Sequence, residues 1–234
     1  MKNERQSMKA KTEIIITTQI VALALLFAAL GNSFGAEPAK VSADEALKRL
    51  IQSNARFVAG HMAHVAPEHV ASARRAVAKG QTPFAVIVGC SDSRVGPEIL
   101  FDQGLGDIFV IRTAGEVVDA AALGSIEYAV EHLGSQLILV LGHERCGAVS
   151  AAVANAKEPG HIATVLKAIE PAVEQTKGKP GDPVDNAVRA QALDVAKKFR
   201  EAKPILAERV QAGKLKIVAA RYDLDTGKVE VLPF

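Results

Sequence analysis

The sequence predicts an α/β fold in which a central, mostly parallel β-sheet is flanked by helices. Three short, largely apolar segments lie in the middle of the chain, at Pro83–Gly89, Asp107–Arg112 and Gln136–Gly142. Such strands are typical of parallel sheets covered on both faces, because neither face then needs polar side chains. Helical patterns separate and follow these segments, as parallel strands require for their crossover connections.

The elements before the first strand are helical. Apolar residues at helical spacing predict a helix over Ala43–Val58, with Ser42 or Asp44 as its cap and Gly60 at its end. A second helix is predicted over residues 68–79, and Gly80 is expected to terminate it.

The elements after the second strand continue the alternation of helix and strand. In order, we predict a helix over Val117–Leu133, mostly helical segments over Ala148–Ala156, His161–Thr176 and Val184–Val210, a strand over Leu215–Asp223, and a hairpin strand over Lys228–Leu232. Pro171 and Pro204 are expected to bend or break the helices that contain them.

Residues 1–35 have the pattern of a secretory signal peptide. A basic start is followed by an apolar run of 11 residues, Ile20 to Leu30, and then by small residues. We expect cleavage near Gly35 or Ala36, which leaves one domain, residues 36–234, in the periplasm or outside the cell with no lasting membrane association. An uncleaved membrane anchor is the alternative, although the run is shorter than the about 20 apolar residues of a spanning helix.

The charge distribution excludes a nucleic-acid partner. The whole chain has a formal net charge of +2, and the part beyond residue 35 contains 24 basic and 24 acidic side chains without a basic run. Proteins that bind nucleic acid usually concentrate basic residues on the folded domain. Hydrophobic residues make up 49% of the chain, which is enough for a sizeable core.

Two polar segments follow buried strands directly. The first is Cys90-Ser91-Asp92-Ser93-Arg94, and the second is His143-Glu144-Arg145-Cys146-Gly147. In an open parallel sheet, ligands bind in the crevice beyond the carboxyl ends of the strands. Both segments lie at such ends, so Cys90, His143 and Cys146 are expected to converge.

A group of two cysteines and one histidine is a soft donor set that favours zinc. Three protein ligands leave the fourth tetrahedral position free, as a catalytic site requires. The plain alternative for two cysteines in an exported protein is one disulfide. A redox role is disfavoured because Cys90 and Cys146 are 56 residues apart and form no C-x-x-C motif.

Together these motifs closely resemble the zinc motifs of the β-class carbonic anhydrases. The resemblance extends from about Asn54 to Leu232. It implies the fold of that family, one zinc ion per subunit, and reversible hydration of carbon dioxide to bicarbonate. It also implies a homodimer or tetramer, because some residues reach the zinc from the neighbouring subunit in this family.

The resemblance also assigns roles to single residues. Cys90, His143 and Cys146 match the zinc ligands, and Asp92 and Arg94 match the catalytic Asp–Arg pair. In some members the aspartate leaves its arginine and becomes the fourth zinc ligand, so Asp92 is a possible ligand in a closed state. The matching substrate-binding positions are Gln81, Phe109, Ala114, Tyr128 and Gly147.

Two other functions remain open at this point. A hydrolase of the same fold acting on carbonyl sulfide or carbon disulfide would have the same motifs, and pocket shape would separate it from a carbonic anhydrase. A non-catalytic zinc-binding protein would not need Gln81, Asp92 and Arg94, so their presence argues against it.

Overall fold

The computed structural model describes residues 41–64 and 67–234, without the side chains of residues 67–69. The predicted signal peptide and its cleavage point lie outside the described residues. Within the described ranges, no helix is both long enough and apolar enough to cross a membrane.

A five-stranded sheet forms the centre of the fold, in the order β2-β1-β3-β4-β5. The first four strands are parallel, and β5 pairs antiparallel with β4. The strands are β1 Ala85–Cys90, β2 Ile108–Thr113, β3 Leu137–His143, β4 Lys216–Tyr222 and β5 Val229–Val231. The predicted α/β class, the mostly parallel sheet and the final hairpin are therefore confirmed.

Helices cover both faces of this sheet. Those described are α1 Ala43–Val58, α2 Pro67–Ala76, α3 Pro97–Leu100, α4 Ala120–Glu131, α5 Gly147–Val153, α6 Ile162–Glu174, α7 Pro183–Glu201 and α8 Ile205–Gln211, with a 3-10 turn at Ala114–Glu116. Ser42 caps α1 by accepting a hydrogen bond from the Glu45 N–H. Asp119 caps α4 in the same way, which is why this helix begins after the predicted Val117.

Alternate residues of the strands enter two separate cores. On one face, Val86, Val88 and Val140 pack with residues of α4, α7 and α8. On the other face, Ile87 and Leu139 pack with residues of α1 and α3. Because apolar helices cover both faces, the central strands β1 and β3 are buried along their whole length.

Three helix predictions need correction. Helix α2 ends at Ala76, three residues before the predicted end, and its last predicted residues form a turn. Pro171 lies inside α6 without ending it, whereas Pro204 does divide the predicted segment Val184–Val210 into α7 and α8. The short helix α3 was not predicted, because its four residues are too few to show helical spacing.

Candidate metal centre

The carboxyl ends of β1 and β3 bring the predicted metal ligands together. Cys90 is the last residue of β1, and His143 is the last residue of the adjacent parallel strand β3. Cys146 directly precedes α5 and is its N-cap residue. All three side chains are buried, and their ligand atoms lie within 4.8 Å of one another. The Sγ atoms of the two cysteines are 3.9 Å apart and form no disulfide.

His143 presents an unpaired nitrogen to this cluster. Its Nδ1 lies 2.9 Å from the carbonyl oxygen of Glu144, and only a protonated nitrogen can donate to that acceptor. In the neutral ring, Nε2 therefore carries the lone pair. That atom is buried and has no hydrogen-bond partner in the described part of the chain. A backbone carbonyl that fixes the tautomer in this way is the usual support of a metal-binding histidine.

The two thiols are electrostatically unequal. A hydrogen bond from the Cys146 thiol is the largest of the causes that lower the pKa of Cys90 to about 4. The N–H groups of Gly115 and Asp92 also point at its sulfur, at 3.3 and 3.4 Å. The Cys90 sulfur in turn raises the pKa of Cys146, since a second negative charge beside a first is unfavourable. A cation between the sulfurs removes this conflict, so the donor set fits zinc.

Gly115 is required by the geometry around Cys90. Its φ of 61° lies in the left-handed region, and a Cβ atom there would come within 2.7 Å of the Cδ1 atom of Ile169. A side chain at this position would therefore push away the backbone whose N–H points at the Cys90 sulfur.

Glu116, the next residue, was missed by the sequence analysis. It is buried, and neither carboxyl oxygen has a hydrogen-bond partner among the described residues. Burial, and secondly the charge of Cys90, raise the pKa of Glu116 well above its usual value. Both effects favour the neutral, protonated form of this carboxyl, which adds no negative charge behind the cysteine sulfurs. A glutamate between Ala114-Gly115 and two valines is the sequence signal that was available.

Asp92 and Arg94 form the predicted pair beside the ligands. The Arg94 Nε donates to Asp92 Oδ1 at 2.9 Å, and Nη2 donates to Oδ2 at 2.6 Å. The backbone N–H of Arg94 also donates to Oδ1, at 2.9 Å. The side-chain hydrogen bonds from Arg94 are the main cause that lowers the pKa of Asp92, so its carboxylate is ionised. In this structure Asp92 is turned toward Arg94, which is not the predicted closed arrangement.

The Asp92 carboxylate nevertheless lies close to the ligand cluster. Its Oδ2 is 3.9 Å from Nε2 of His143. Arg112 holds the backbone of this loop in place, because its guanidinium donates to the carbonyl oxygens of Cys90 and Asp92, at 2.8 and 2.6 Å. Arg112 was not among the site residues predicted from the sequence.

Two of the five predicted substrate-binding residues lie beside the ligands in sequence and space. Ala114 directly precedes Gly115, whose N–H contacts Cys90, and Gly147 directly follows Cys146 at the first turn of α5. Both are exposed. They border the ligand cluster from the same chain.

The other three lie toward the opposite end of the sheet. Gln81 is exposed and precedes β1, whereas Cys90 ends it. Phe109 pairs with Val86, four residues before Cys90, which corresponds to about 13 Å along the strand. Tyr128 is 49% exposed and lies eight residues beyond the start of α4, which corresponds to about 12 Å along the helix. No hydrogen bond in the described ranges joins Gln81 or Tyr128 to the ligand cluster.

An α/β sheet with a buried Cys2His group and an Asp–Arg pair at its carboxyl edge has the donor set of a metal site that leaves a fourth ligand position open for catalysis. A carbonic anhydrase family model matches residues 85–229 of this chain. Carbonic anhydrase 2 of Mycobacterium tuberculosis is 43% identical over 187 residues, covering 78% of this chain and 89% of the relative. The carbonic anhydrase of Pseudomonas aeruginosa is 32% identical over 172 residues, covering 68% and 77% of the two chains.

Solved structures of β-carbonic anhydrases have the same fold. A structure described among two tetrameric β-carbonic anhydrases from Sordaria macrospora gives a TM-score of 0.62 at 26% identity, over 68% of this chain and 85% of that one. The Coccomyxa β-carbonic anhydrase in complex with acetazolamide gives 0.61 at 26% identity, over 80% and 86%. The chain therefore belongs to the β-class carbonic anhydrases, and it is an enzyme of carbonic anhydrase activity.

Proposed function

We propose that the chain is a zinc enzyme that catalyses the reversible hydration of carbon dioxide to bicarbonate and a proton, with one zinc ion per subunit. The observation that carries this proposal is the bare, buried Nε2 of His143 facing two cysteine sulfurs. Beside it lies an ionised carboxylate, that of Asp92, held by Arg94. A binding site without catalysis would not need that carboxylate.

Zinc held by Cys90, His143 and Cys146 would lower the pKa of a bound water and supply hydroxide near neutral pH. Asp92 would accept a hydrogen bond from that hydroxide, because its carboxylate is ionised and its Oδ2 lies 3.9 Å from Nε2 of the proposed ligand His143. Such a hydrogen bond would orient the hydroxide toward the substrate carbon. Arg94 keeps Asp92 ionised and fixes the direction of its carboxylate.

Substrate binding is assigned to the five remaining residues by their chemistry. The Gln81 amide would donate a hydrogen bond to a substrate oxygen. The side chains of Phe109, Ala114 and Tyr128 would form an apolar surface for carbon dioxide, which has no dipole moment. The backbone at Gly147 would complete the pocket beside Cys146.

The active enzyme is proposed to be a homodimer or a tetramer. Phe109 lies about 13 Å along the strands from the level of Cys90, and Gln81 precedes β1 at the same end of the sheet. Tyr128 lies about 12 Å along α4 from the start of that helix. These three residues would therefore serve the ligands of a second copy. Strand β2 is one of the two edge strands of the described sheet, and its Ile108, Phe109 and Val110 are only partly buried. An apolar edge strand of this kind favours association with another chain. The tetrameric relatives from Sordaria macrospora support the same conclusion.

Export across the inner membrane is proposed from the first 35 residues alone. The mature protein, recovered from the periplasm or the medium, is expected to begin near Ala36 or Glu37. N-terminal sequencing checks this, and an intact Met1 in a cytoplasmic pool would contradict it.

One set of measurements on the purified mature protein tests the catalytic proposal. We expect about one zinc per chain by inductively coupled plasma mass spectrometry, and rapid hydration of carbon dioxide in a stopped-flow assay. Carbonyl sulfide and carbon disulfide are assayed in parallel, because a hydrolase of the same fold would turn these over and leave carbon dioxide unchanged. Stoichiometric zinc without turnover of any of the three substrates would identify a zinc-binding protein instead.

A further inference from the structure

Arg145 lies between two metal ligands in sequence and has an unusual backbone conformation. Its φ is 51°, in the left-handed region that favours glycine, asparagine and aspartate rather than arginine. In this conformation the carbonyl oxygen of Arg145 accepts a hydrogen bond from Arg94 Nη2, at 3.2 Å. Arg94 is therefore held at two points, by the Asp92 carboxylate and by this carbonyl.

The side chain of Arg145 is tied to a distant part of the chain. Its Nη1 and Nη2 donate to the two carboxylate oxygens of Asp225, at 2.9 and 2.6 Å. Paired hydrogen bonds of this kind fix the relative orientation of both groups. Asp225 lies in the turn between β4 and β5, 80 residues further along the chain.

That turn is itself rigid. The Asp223 carboxylate accepts hydrogen bonds from the backbone N–H groups of Asp225 and Thr226, and from the Arg221 guanidinium. Asn54 of α1 joins the same turn from the other side, since its side chain bonds to the backbone at Gly227 and Val229. Asp225 is therefore presented to Arg145 by a fixed support.

We infer that Asp225 is a positioning residue for the catalytic pair. Through the Arg145 side chain it stabilises the left-handed backbone whose carbonyl oxygen holds Arg94 against Asp92. The inference rests on the proposed function for its effect on turnover, whereas its effect on Arg94 stands independently. In the described part of the chain, Asp225 makes no hydrogen bond to Cys90, His143 or Cys146, so it would act through Arg145.

Four variants and one control test this inference. Asp225→Ala removes the carboxylate, and Arg145→Asn removes the side-chain link while tolerating the left-handed backbone; the third variant combines both. Glu230→Ala is the matched control, because Glu230 is also an exposed acid of this hairpin, bound to Arg189 rather than to the site. Asp225→Glu keeps a carboxylate and is expected to restore most of the lost activity.

We expect kcat for carbon dioxide hydration to fall about 3- to 10-fold in each single variant, with KM and zinc content little changed. Because both substitutions cut the same link, the double variant should be no slower than the slower single variant. The Arg94 Nε–H resonance in nitrogen-15 NMR should shift and exchange faster with water in Asp225→Ala but not in Glu230→Ala.

The inference is overturned if Asp225→Ala leaves both kcat and the Arg94 resonance unchanged. An equal loss in Glu230→Ala would also overturn it, since the effect would then come from the hairpin as a whole. The NMR measurement needs no turnover. A protein that lacks carbon dioxide hydration but shows the Arg94 shift would therefore refute the proposed function and support the positioning role.

Discussion

The two ends of the sheet differ in how many residues of the candidate active site they bring together within one chain. At the carboxyl end, Cys90, His143 and Cys146 are buried and converge, and the neighbouring Asp92 already has its arginine. At the amino end and along α4, Gln81 and Tyr128 are exposed and without contact to this cluster in the described ranges. One chain thus holds a candidate metal-binding half, formed by the three ligand residues, and apart from it a proposed substrate-binding half that includes Gln81 and Tyr128. This difference favours the proposal that each catalytic site combines halves from two chains.

The largest expected effect on activity comes from removing a ligand of the metal-binding half. Cys146→Ser should lose both zinc and activity, because a hydroxyl is a far weaker zinc ligand than a thiolate and the described cluster contains no fourth soft ligand. We expect zinc content near zero and a rate at the uncatalysed background. Near-UV circular dichroism checks that the variant is folded. A full complement of zinc in the folded variant would contradict the ligand assignment.

An intermediate effect is expected when the two halves are placed on different chains. Gln81→Leu alone should be slow because the substrate oxygen loses its donor, and Cys146→Ser alone should be inactive. Subunits of the two variants, mixed by refolding in equal amounts, form dimers in which one site combines intact halves. Activity should recover to about a quarter of the wild-type value, since half of the dimers are mixed and half of their sites are intact.

The same mixing experiment separates the two possible arrangements. The mixed dimers are quantified by a tag on one variant, and wild type refolded in the same way provides the reference. If verified mixed dimers are no more active than the parents, Gln81 acts within its own chain. If the Gln81→Leu parent is as active as wild type, Gln81 has no role in the site.

The smallest effect on activity is expected from a residue in the segment that connects the two ends of the sheet. Asp102 lies between α3 and β2, is buried, and accepts hydrogen bonds from the Arg56 guanidinium and from the backbone N–H groups of Ala63 and His64. Asp102→Asn keeps the side-chain shape and suits its left-handed φ of 45°. We expect the free energy of unfolding to fall by about 2–4 kcal/mol at pH 7, with zinc content and kcat unchanged.

The pH dependence of this loss has a definite sign. Despite opposition from burial, the hydrogen bonds lower the pKa of Asp102 from its ordinary 3.8 to about 2 in the folded protein. The stabilisation is therefore fully present above the unfolded value and is lost as pH falls toward the folded value. Urea unfolding of wild type and variant should give curves that converge between pH 4 and about pH 2.

Asp44→Asn is the control for Asp102→Asn. It removes another aspartate bound to a cation, Lys216, but Asp44 is 86% exposed, so its contribution should be below about 1 kcal/mol. An equal loss of stability in both variants would show that burial of Asp102 is unimportant.

Most of the fold could be predicted because the relevant signals are local. Continuous apolar runs identified β1, β2 and β3 to within two residues at each end, and Ser42 identified the start of α1. Helix α3 is too short to produce a periodic signal, and Pro171 is accommodated inside α6 although proline usually breaks a helix.

The metal ligands and the catalytic pair were also accessible from the sequence. Cys90 and His143 directly follow the two most apolar strands, and Asp92 and Cys146 lie two and three residues beyond them, so linear spacing alone indicated a shared site. Glu116 could be noticed in the sequence as a glutamate among small and apolar residues, but its burial could not be predicted. That burial depends on residues far away in sequence, such as Gly142 and Val188 around the same space.

The sequence by itself determined the fold class, the family and the convergence of Cys90, His143 and Cys146, because each depends on which residues follow which strand. Only the tertiary structure decided how the site is held. It showed that Nε2 of His143 is bare, that Asp92 is turned toward Arg94, and that Asp225 reaches Arg145 across 80 residues. Hydrogen bonds between distant segments leave no periodic or spacing signal in the chain, since they depend on how the strands and turns come together in space.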